Sequence, residues 1–243
     1  MGKISIITPT ENREAFLPAI WDCVKSQSIQ DFEWLIHDGS PQPSVALSAI
    51  TDPRVRYIHS TQPMSLGAKR NVLVGSAVGD TIIHMDDDDY YAPEYIEAML
   101  TLLVQSNADI VKLYGFYLYH QASQRFAYWD LEHTFPFHYL LHPRRPDTPV
   151  GLRMVGAKEA WGYGFSYVYH RRVWDKRKFP DQGHGEDQVF ADAAIAEFRH
   201  AGMQDRQQLA VHVIHTSNTS VSFPQQLLPA DFHQTYFQGF VVP

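Results

Sequence analysis

The sequence has 243 residues, of which 44% are hydrophobic, and it carries a net charge of −7. This length and composition are typical of a folded domain, and the acidic balance argues against general nucleic-acid binding by charge. The single cysteine excludes an internal disulfide and favours a reducing compartment. We find no apolar run long enough to span a membrane, and the opening "MGKISIITPT" is too short and polar for a secretory signal. We therefore expect a cytoplasmic protein, and contact with the inner face of a membrane stays open.

Apolar spacing predicts alternating strands and helices in the first part of the chain. In chain order these are strand 3–8, helix 13–27, strands 32–37 and 54–58, helix 65–78, strand 80–85 and helix 93–106. This alternation is typical of an α/β fold with a mostly parallel sheet. Beyond residue 108 we predict a tyrosine-rich hairpin (109–120 and 124–131), an irregular loop to about 150, a helix at 185–202, a last strand at 208–215 and an irregular tail.

Four consecutive aspartates, Asp86, Asp87, Asp88 and Asp89, follow a predicted strand. Adjacent carboxylates repel one another, so a cation is expected beside them. Thr8, Pro9 and Thr10 follow the first strand and Asp38 follows the second, although Asp38 by itself is more typical of a turn. Because ligands of open parallel sheets bind at the carboxyl ends of the strands, all three sets should share one rim. Clustered hard oxygen ligands there suit Mg²⁺ or Mn²⁺.

Four segments occur in the order "ISIITPTENR", "QDFEWLIHDGS", "SLGAKRNVLVGSAVGDTIIHMDDDDYY" and "GHGEDQVF". Together they resemble family 2-type glycosyltransferases of the GT-A fold, closely over the first hundred residues and through short motifs thereafter. The resemblance implies a Rossmann-like, mostly parallel central sheet flanked by helices, with a smaller mixed C-terminal region. It also implies one domain over 1–243, in which 1–107 binds the nucleotide and 108–243 binds the acceptor.

The resemblance assigns roles on the nucleotide side. The nucleotide-sugar contacts it implies are Thr8, Pro9, Thr10, Asp38, Arg70, Asp86 and Asp87, with Asp88 on the metal. Family members often carry two acids before "GS", whereas this chain has "HDGS" with one, so base recognition is less certain. An exposed helix arginine is the alternative for Arg70. Whether Asp89 supports the metal ligands or shares the metal is open.

The resemblance also assigns roles on the acceptor side. It implies that Asp187 is the catalytic base, with Glu186 positioning the base or the acceptor, although both acids would also suit a helix N-terminus. His215 is the implied metal or diphosphate contact, and a structural histidine is the alternative. His212 lies three residues earlier on the predicted strand, so only one of the two should reach the metal. Trp161 and Tyr163 are candidates to stack on sugars, and buried aromatic residues are the alternative.

The implied activity is transfer of a sugar from a nucleotide-sugar, with UDP the commonest nucleotide, to an acceptor hydroxyl in polysaccharide or glycoconjugate biosynthesis. A divalent metal, Mn²⁺ or Mg²⁺, and an inverting reaction with a carboxylate base are also implied. One alternative is a sugar-phosphate nucleotidyltransferase, which should have a glycine- and basic-rich loop where this chain has "TPTENRE". Another is a non-catalytic nucleotide- or carbohydrate-binding protein, which needs a lost metal or base carboxylate. An aspartyl-nucleophile phosphatase would need its acid pair after the first strand, and the chain has none there.

Overall fold

The computed structural model describes residues 2–133, 137–145, 159–218, 221–237 and 239–241. The strands are β1 Ile4–Thr10, β2 Phe32–Asp38, β3 Val55–His59, β4 Thr81–His84, β5 Tyr90–Tyr91, β6 Ile110–His120, β7 Arg125–Asp130, β8 Val168–His170, β9 His200–Gln204, β10 Ala210–Ile214 and β11 Gln226–Leu228. The helices are α1 Leu17–Lys25, α2 Val45–Ser48, α3 Leu66–Ser76, α4 Tyr95–Gln105, α5 Arg171–Lys176, α6 Glu186–Ile195 and α7 Phe232–Tyr236.

The strands form one sheet, whose main path runs β11-β7-β6-β8-β4-β1-β2-β3. From β4 to β3 the strands are parallel, and Ile4 pairs with both Phe32 and Thr81. This register brings the carboxyl ends of β1, β2 and β4 to one rim of the sheet. The hairpin of β6 and β7 and the short β8 extend the same sheet in antiparallel fashion, so it continues unbroken across residue 108.

The elements follow from local chemistry. Every residue of β1 and β2 is buried, which explains their continuous apolar runs. Ser65 caps α3, because its hydroxyl accepts a hydrogen bond from the Ala68 amide at 3.1 Å. In the part of the chain that the structure describes, no helix has the length and apolar character needed to cross a membrane.

A buried cysteine lies beneath the rim. Cys23 on α1 is 6% exposed, and the Tyr91 amide donates to its Sγ at 3.5 Å. Burial raises the pKa of the Cys23 thiol to about 11. The thiol therefore belongs to the core between α1 and β5.

The second half of the chain departs from the predicted elements at several points. The predicted helix 185–202 is wrong in its last part, because α6 ends at Ile195 and residues 200–204 form β9 parallel to β6. Gly202 pairs with Lys112 in the sheet and does not end a helix. The tail predicted as irregular contains β11 and α7. The predicted loop to about residue 150 lies partly outside the described residues, at 134–136 and 146–150. The α/β fold with a parallel central part is confirmed, and the division into halves at residue 107 stays a prediction.

Candidate active site

A cavity of about 680 Å³ opens at the rim where β1 and β4 end. Its lining joins the loop after β1, the start of α3, the acidic turn (defined as Asp86–Asp89), the loop 162–165 and the start of α6. Of the site residues predicted from the sequence, those that line it are Pro9, Thr10, Arg70, Asp86, Asp87, Asp88, Tyr163, Glu186 and Asp187. The fold therefore brings residues that are a hundred positions apart in sequence to one space.

Two carboxylates of the acidic turn are held by histidines. The Asp88 carboxylate lies 2.8 Å from His215 Nε2, and the Asp89 carboxylate lies 3.0 Å from His212 Nδ1. The Val213 amide also donates to Asp89 at 2.8 Å. Both histidines reach carboxylates of the turn, because β10 ends at Ile214 and His215, beyond the strand, does not follow its alternation. That only one of them reaches the metal stays a prediction.

The other two carboxylates have different partners. Asp87 accepts a hydrogen bond from the Thr10 hydroxyl, and Asp86 lies 3.5 Å from Arg70. Arg13 adds positive charge beside Asp88 at 3.7 Å. Each acid in the turn is thus oriented separately, which four acids in an ordinary surface turn would not need.

The protein offsets the charge of this turn only in part. Burial would raise the pKa of Asp88, but the hydrogen bond from His215 and the charge of Arg13 outweigh burial and lower it. Burial together with the negative charge of Asp88 raises the pKa of Asp87 well above its usual range. Ionisation is thereby favoured at Asp88 and disfavoured at Asp87, so an added cation would reduce the repulsion between the two carboxylates.

The donors available for a metal are Asp88 and His215. One carboxylate and one imidazole lie within a hydrogen bond of each other and suit Mn²⁺ or Mg²⁺ as partial ligands. No cluster of three or more His, Cys, Asp or Glu ligands occurs in the described ranges. The site therefore fits a metal that takes its remaining ligands from water and from a phosphate group, as Mg²⁺ commonly does.

Two candidates for nucleotide contact lie behind the cavity wall. The Thr8 hydroxyl donates to the Met85 carbonyl at 2.6 Å and accepts from Trp34 Nε1 at 2.8 Å. Asp38 is 1% exposed and accepts from the Tyr57 hydroxyl at 2.6 Å. Both residues lie within strands, since β1 runs to Thr10 and β2 runs to Asp38 itself. Their side chains support the rim from below.

One lysine of the cavity lining was not among the residues predicted from the sequence. Lys69 lines the cavity, is only 4% exposed, and pairs with the Glu11 carboxylate. Its ammonium also donates to the Thr10 carbonyl at 3.3 Å and packs against Gly39, where a larger residue would displace it. The signal in the sequence was a second cation directly before Arg70.

Arg70 connects the two sides of the cavity. Its guanidinium is buried and lies 3.5 Å from Asp86 on one side and 3.5 Å from Glu186 on the other. Its Nε is buried and has no hydrogen-bond partner among the described residues. A fixed cation with unused donors is well placed to meet an anionic group.

Asp187 at the start of α6 is held by backbone amides. The Gly164 amide donates to Oδ2 at 3.0 Å, and the Gln188 amide donates to Oδ1 at 2.8 Å. Gly185 precedes the helix with φ at 73°, a conformation that favours glycine. Glu186 is 2% exposed, and burial raises the pKa of its carboxyl. Both acids line the cavity, and Asp187 is the one whose carboxylate is oriented by two backbone amides.

The two aromatic candidates differ in position. Tyr163 lines the cavity, and its hydroxyl donates to the Val221 carbonyl at 2.7 Å. Trp161 is 5% exposed and packs in the core against Tyr114 and His200, with ring centroids 5.6 and 5.5 Å away. It is absent from the cavity lining, so the alternative of a buried aromatic residue describes it better.

Comparison with known proteins identifies related sequences and structures. The family model described as Glycosyl transferase family 2 matches residues 5–173. A similar curated protein is the uncharacterized glycosyltransferase EpsJ of Bacillus subtilis, 27% identical over 213 residues, which are 83% of this chain and 58% of EpsJ. The chain thus spans little more than half the length of this relative.

Solved structures share the fold. The structure of S. aureus TarS 1–349 in complex with UDP-GlcNAc superposes with a TM-score of 0.66 at 18% identity, covering 90% of this chain and 62% of that one. The mannosyltransferase PcManGT from Pyrobaculum calidifontis, in complex with GDP-Man and Mn²⁺, gives a TM-score of 0.59 at 14% identity, covering 87% and 56%. The predicted GT-A fold is confirmed by this likeness. Since the family model matches well over half of its residues, this chain belongs to glycosyl transferase family 2.

Proposed function

We propose that this protein transfers a sugar from a nucleotide-sugar, with UDP the favoured nucleotide, to an acceptor hydroxyl. The observation that carries the proposal is that one cavity holds both a cation-seeking acidic turn and a separately oriented carboxylate, Asp187. The acidic turn can hold the metal that a diphosphate donor needs, and the Asp187 carboxylate can accept the proton of an acceptor hydroxyl. Family membership and the UDP-GlcNAc held by TarS support a nucleotide-sugar donor.

The donor would lie along the rim formed by the ends of β1 and β4. Pro9 and Thr10 line the cavity there, Thr8 and Asp38 support them from below, and Asp86 and Asp87 follow β4. The buried Lys69 and Arg70 offer two cations to a ligand that carries two phosphates.

Asp88 and His215 would hold a divalent metal, Mn²⁺ or Mg²⁺. When bound, such a metal neutralises charge on a leaving diphosphate. The Mn²⁺ in the PcManGT complex supports its use in this fold. The partial charge balance of the acidic turn supports it from this chain's own residues.

Asp187 would act as the base in an inverting displacement. The acceptor oxygen forms a bond to the anomeric carbon, the bond from that carbon to the diphosphate oxygen breaks, and the electron pair leaves with the diphosphate. The acceptor proton passes to an Asp187 oxygen, while the amides of Gly164 and Gln188 keep the carboxylate in place. Glu186, next to Arg70, would position the base and Tyr163 would contact the sugar.

The single buried thiol supports action in the cytoplasm.

A donor screen tests this function. The protein is incubated with UDP-GlcNAc, UDP-glucose, UDP-galactose and GDP-mannose, each with Mn²⁺ and with chelator, and the released products are identified. We expect slow, metal-dependent release of a nucleoside diphosphate from one donor, because water can replace the acceptor. Release of a nucleoside monophosphate or of a sugar phosphate would favour the nucleotidyltransferase alternative. If UDP and GDP fail to bind by calorimetry with and without metal, the proposed function is wrong.

A further inference from the structure

Lys112 is a buried cation that the reaction above does not use. It lies in the middle of β6, within the apolar run "IVKLYGFYLYH", and is 0% exposed. Burial lowers the pKa of its ammonium to about 7, and the negative charge of Asp187 opposes that shift. A lysine in such a place needs an explanation, because an ionised group without a carboxylate partner is costly to bury.

The Lys112 ammonium binds the backbone beside the cavity. It donates to the Ala160 carbonyl and, at 3.3 Å, to the Tyr163 carbonyl. It also lies 5.8 Å from the centre of the Tyr167 ring. No salt bridge to Lys112 occurs in the described ranges, so its bonds go to backbone carbonyls on both sides of Trp161.

These carbonyls belong to the segment that holds the proposed base. Directly after Tyr163, the Gly164 amide donates to Asp187 Oδ2 at 3.0 Å. A Cβ atom at Gly164 would lie 2.9 Å from the Asp187 Cβ, which is too close, so Gly164 and Asp187 pack together without room for another atom. Tyr167 adds a second link, because its hydroxyl donates to the Trp161 carbonyl and lies 3.3 Å from the Asp187 carbonyl. A shift of this segment would therefore move the Asp187 carboxylate.

We infer that Lys112 is a positioning residue for Asp187: by binding the carbonyls of Ala160 and Tyr163 it fixes the Gly164 amide that orients the carboxylate. This inference rests on the proposed role of Asp187 and extends it to a residue that does not line the cavity. The alternative is that Lys112 only contributes to the stability of the core. The two readings differ in what a methionine at this position would do.

The test compares Lys112→Met with wild type in the active donor and acceptor assay. Methionine fills the same space and donates no hydrogen bond, so the fold should keep its melting temperature or gain, because a buried charge is removed. Transfer kcat should fall by roughly 10- to 100-fold from misplacement of the base. The KM for the donor should stay near wild type, because the groups that hold the donor are unchanged. Adding Lys112→Met to Asp187→Asn should cause little further loss.

Lys176→Met is the matched control. Lys176 lies on α5, its side chain is 61% exposed, and its ammonium pairs with Glu197 and lies 5.8 Å from the centre of the Phe198 ring, away from the cavity. The same chemical change there should leave kcat and KM at wild-type values. A Lys112→Met protein that melts lower but keeps its kcat would show a purely structural role and overturn the inference.

The Gly164 amide resonance provides a readout that needs no activity. In ¹⁵N-labelled protein, Asp187→Asn weakens the charged hydrogen bond and should shift this amide proton upfield. Lys112→Met should shift it in the same direction, and Lys176→Met should leave it in place. If no donor is turned over by wild type, the proposed function fails and this comparison still tests Lys112. An unchanged Gly164 resonance in Lys112→Met overturns the inference whatever the activity.

Discussion

The acidic turn and the start of α6 hold their carboxylates by different means. In the turn, Asp86 lies 3.5 Å from the Arg70 guanidinium, and Asp88 lies 2.8 Å from the His215 imidazole. At the start of α6, Asp187 is held by the backbone amides of Gly164 and Gln188, and no salt bridge to it occurs in the described ranges.

This difference has a chemical meaning. A carboxylate that bonds other side chains can exchange one of them for a metal ion. A carboxylate held by backbone amides keeps its orientation and has no cation to exchange, as a base must when it receives a proton. The contrast teaches that burial alone does not separate ligand from base among the acids of one cavity.

The largest expected effect concerns Asp187. Asp187→Asn keeps the shape and removes the proton acceptor, so transfer should fall by a factor on the order of 10² to 10⁴. Affinity for nucleotide with Mn²⁺ should stay near wild type by calorimetry. The control is Asp192→Asn, an exposed acid on the same helix that bonds Gln188 at 2.8 Å. Turnover of Asp187→Asn within a few-fold of wild type would reduce this acid to a helix-terminal charge.

Asp88 should give the next largest effect, and on binding. Asp88→Asn leaves His215 as the remaining metal donor, so metal-dependent affinity for UDP should fall by about 100-fold or more, since losing a residue that merely supports a ligand costs roughly 10- to 100-fold. Calorimetry with Mn²⁺ and with chelator measures the difference. Asp31→Asn, at an exposed acid away from the cavity, should bind as wild type does. Equal affinities with and without chelator in wild type would remove the proposed distinction between the two regions.

The smallest expected effect is on stability and has opposite signs in the two regions. The pKa of Asp88 is lowered in the fold, so its ionisation stabilises the protein above the unfolded value of about 3.9 and that gain is lost as pH falls through the folded pKa. The pKa of Glu186 is raised by burial. Ionisation of Glu186 therefore lowers the stability of the fold above the folded pKa and has little effect below the unfolded value of about 4.3. In metal-free protein at pH 7, Asp88→Asn should therefore destabilise and Glu186→Gln should stabilise, each on the order of 1 kcal/mol.

Urea unfolding from pH 4 to pH 7 measures both variants. The Glu186→Gln difference from wild type should shrink as pH falls toward 4, because Glu186 becomes protonated in the fold. Most of the Asp88→Asn difference should persist at pH 4, because the folded pKa of Asp88 lies below its unfolded value. The same sign for both variants at pH 7 would contradict the electrostatic contrast drawn here.

Much of the acidic side was predictable from the sequence because it depends on strand order alone. Once β1, β2 and β4 were recognised as parallel strands, their carboxyl ends had to meet at one rim. The facing of single side chains was not predictable, since it depends on where a strand stops. Thr8 and Asp38 were expected in loops, yet both strands continue through them and turn them inward.

Long-range pairing explains the other failures. Residues 200–204 follow a helix in the sequence, but in the structure they pair with β6 in parallel and form β9. The partners of Asp187 are backbone amides, which nearly every residue has, so no residue type in the sequence indicated them. Lys112 did carry a signal, a charge inside an apolar strand, although only the structure shows which carbonyls it binds.

The buried state of Cys23 has a practical consequence for spectroscopy. With its pKa at about 11, almost none of this thiol is thiolate at neutral pH, so it should react slowly with maleimides and iodoacetamides. Since it is the only cysteine in the sequence, a second cysteine introduced at an exposed position would carry the label alone. Val189 on α6 is 49% exposed and is one such position. A fluorophore there would report on movement of this helix without removal of the native thiol.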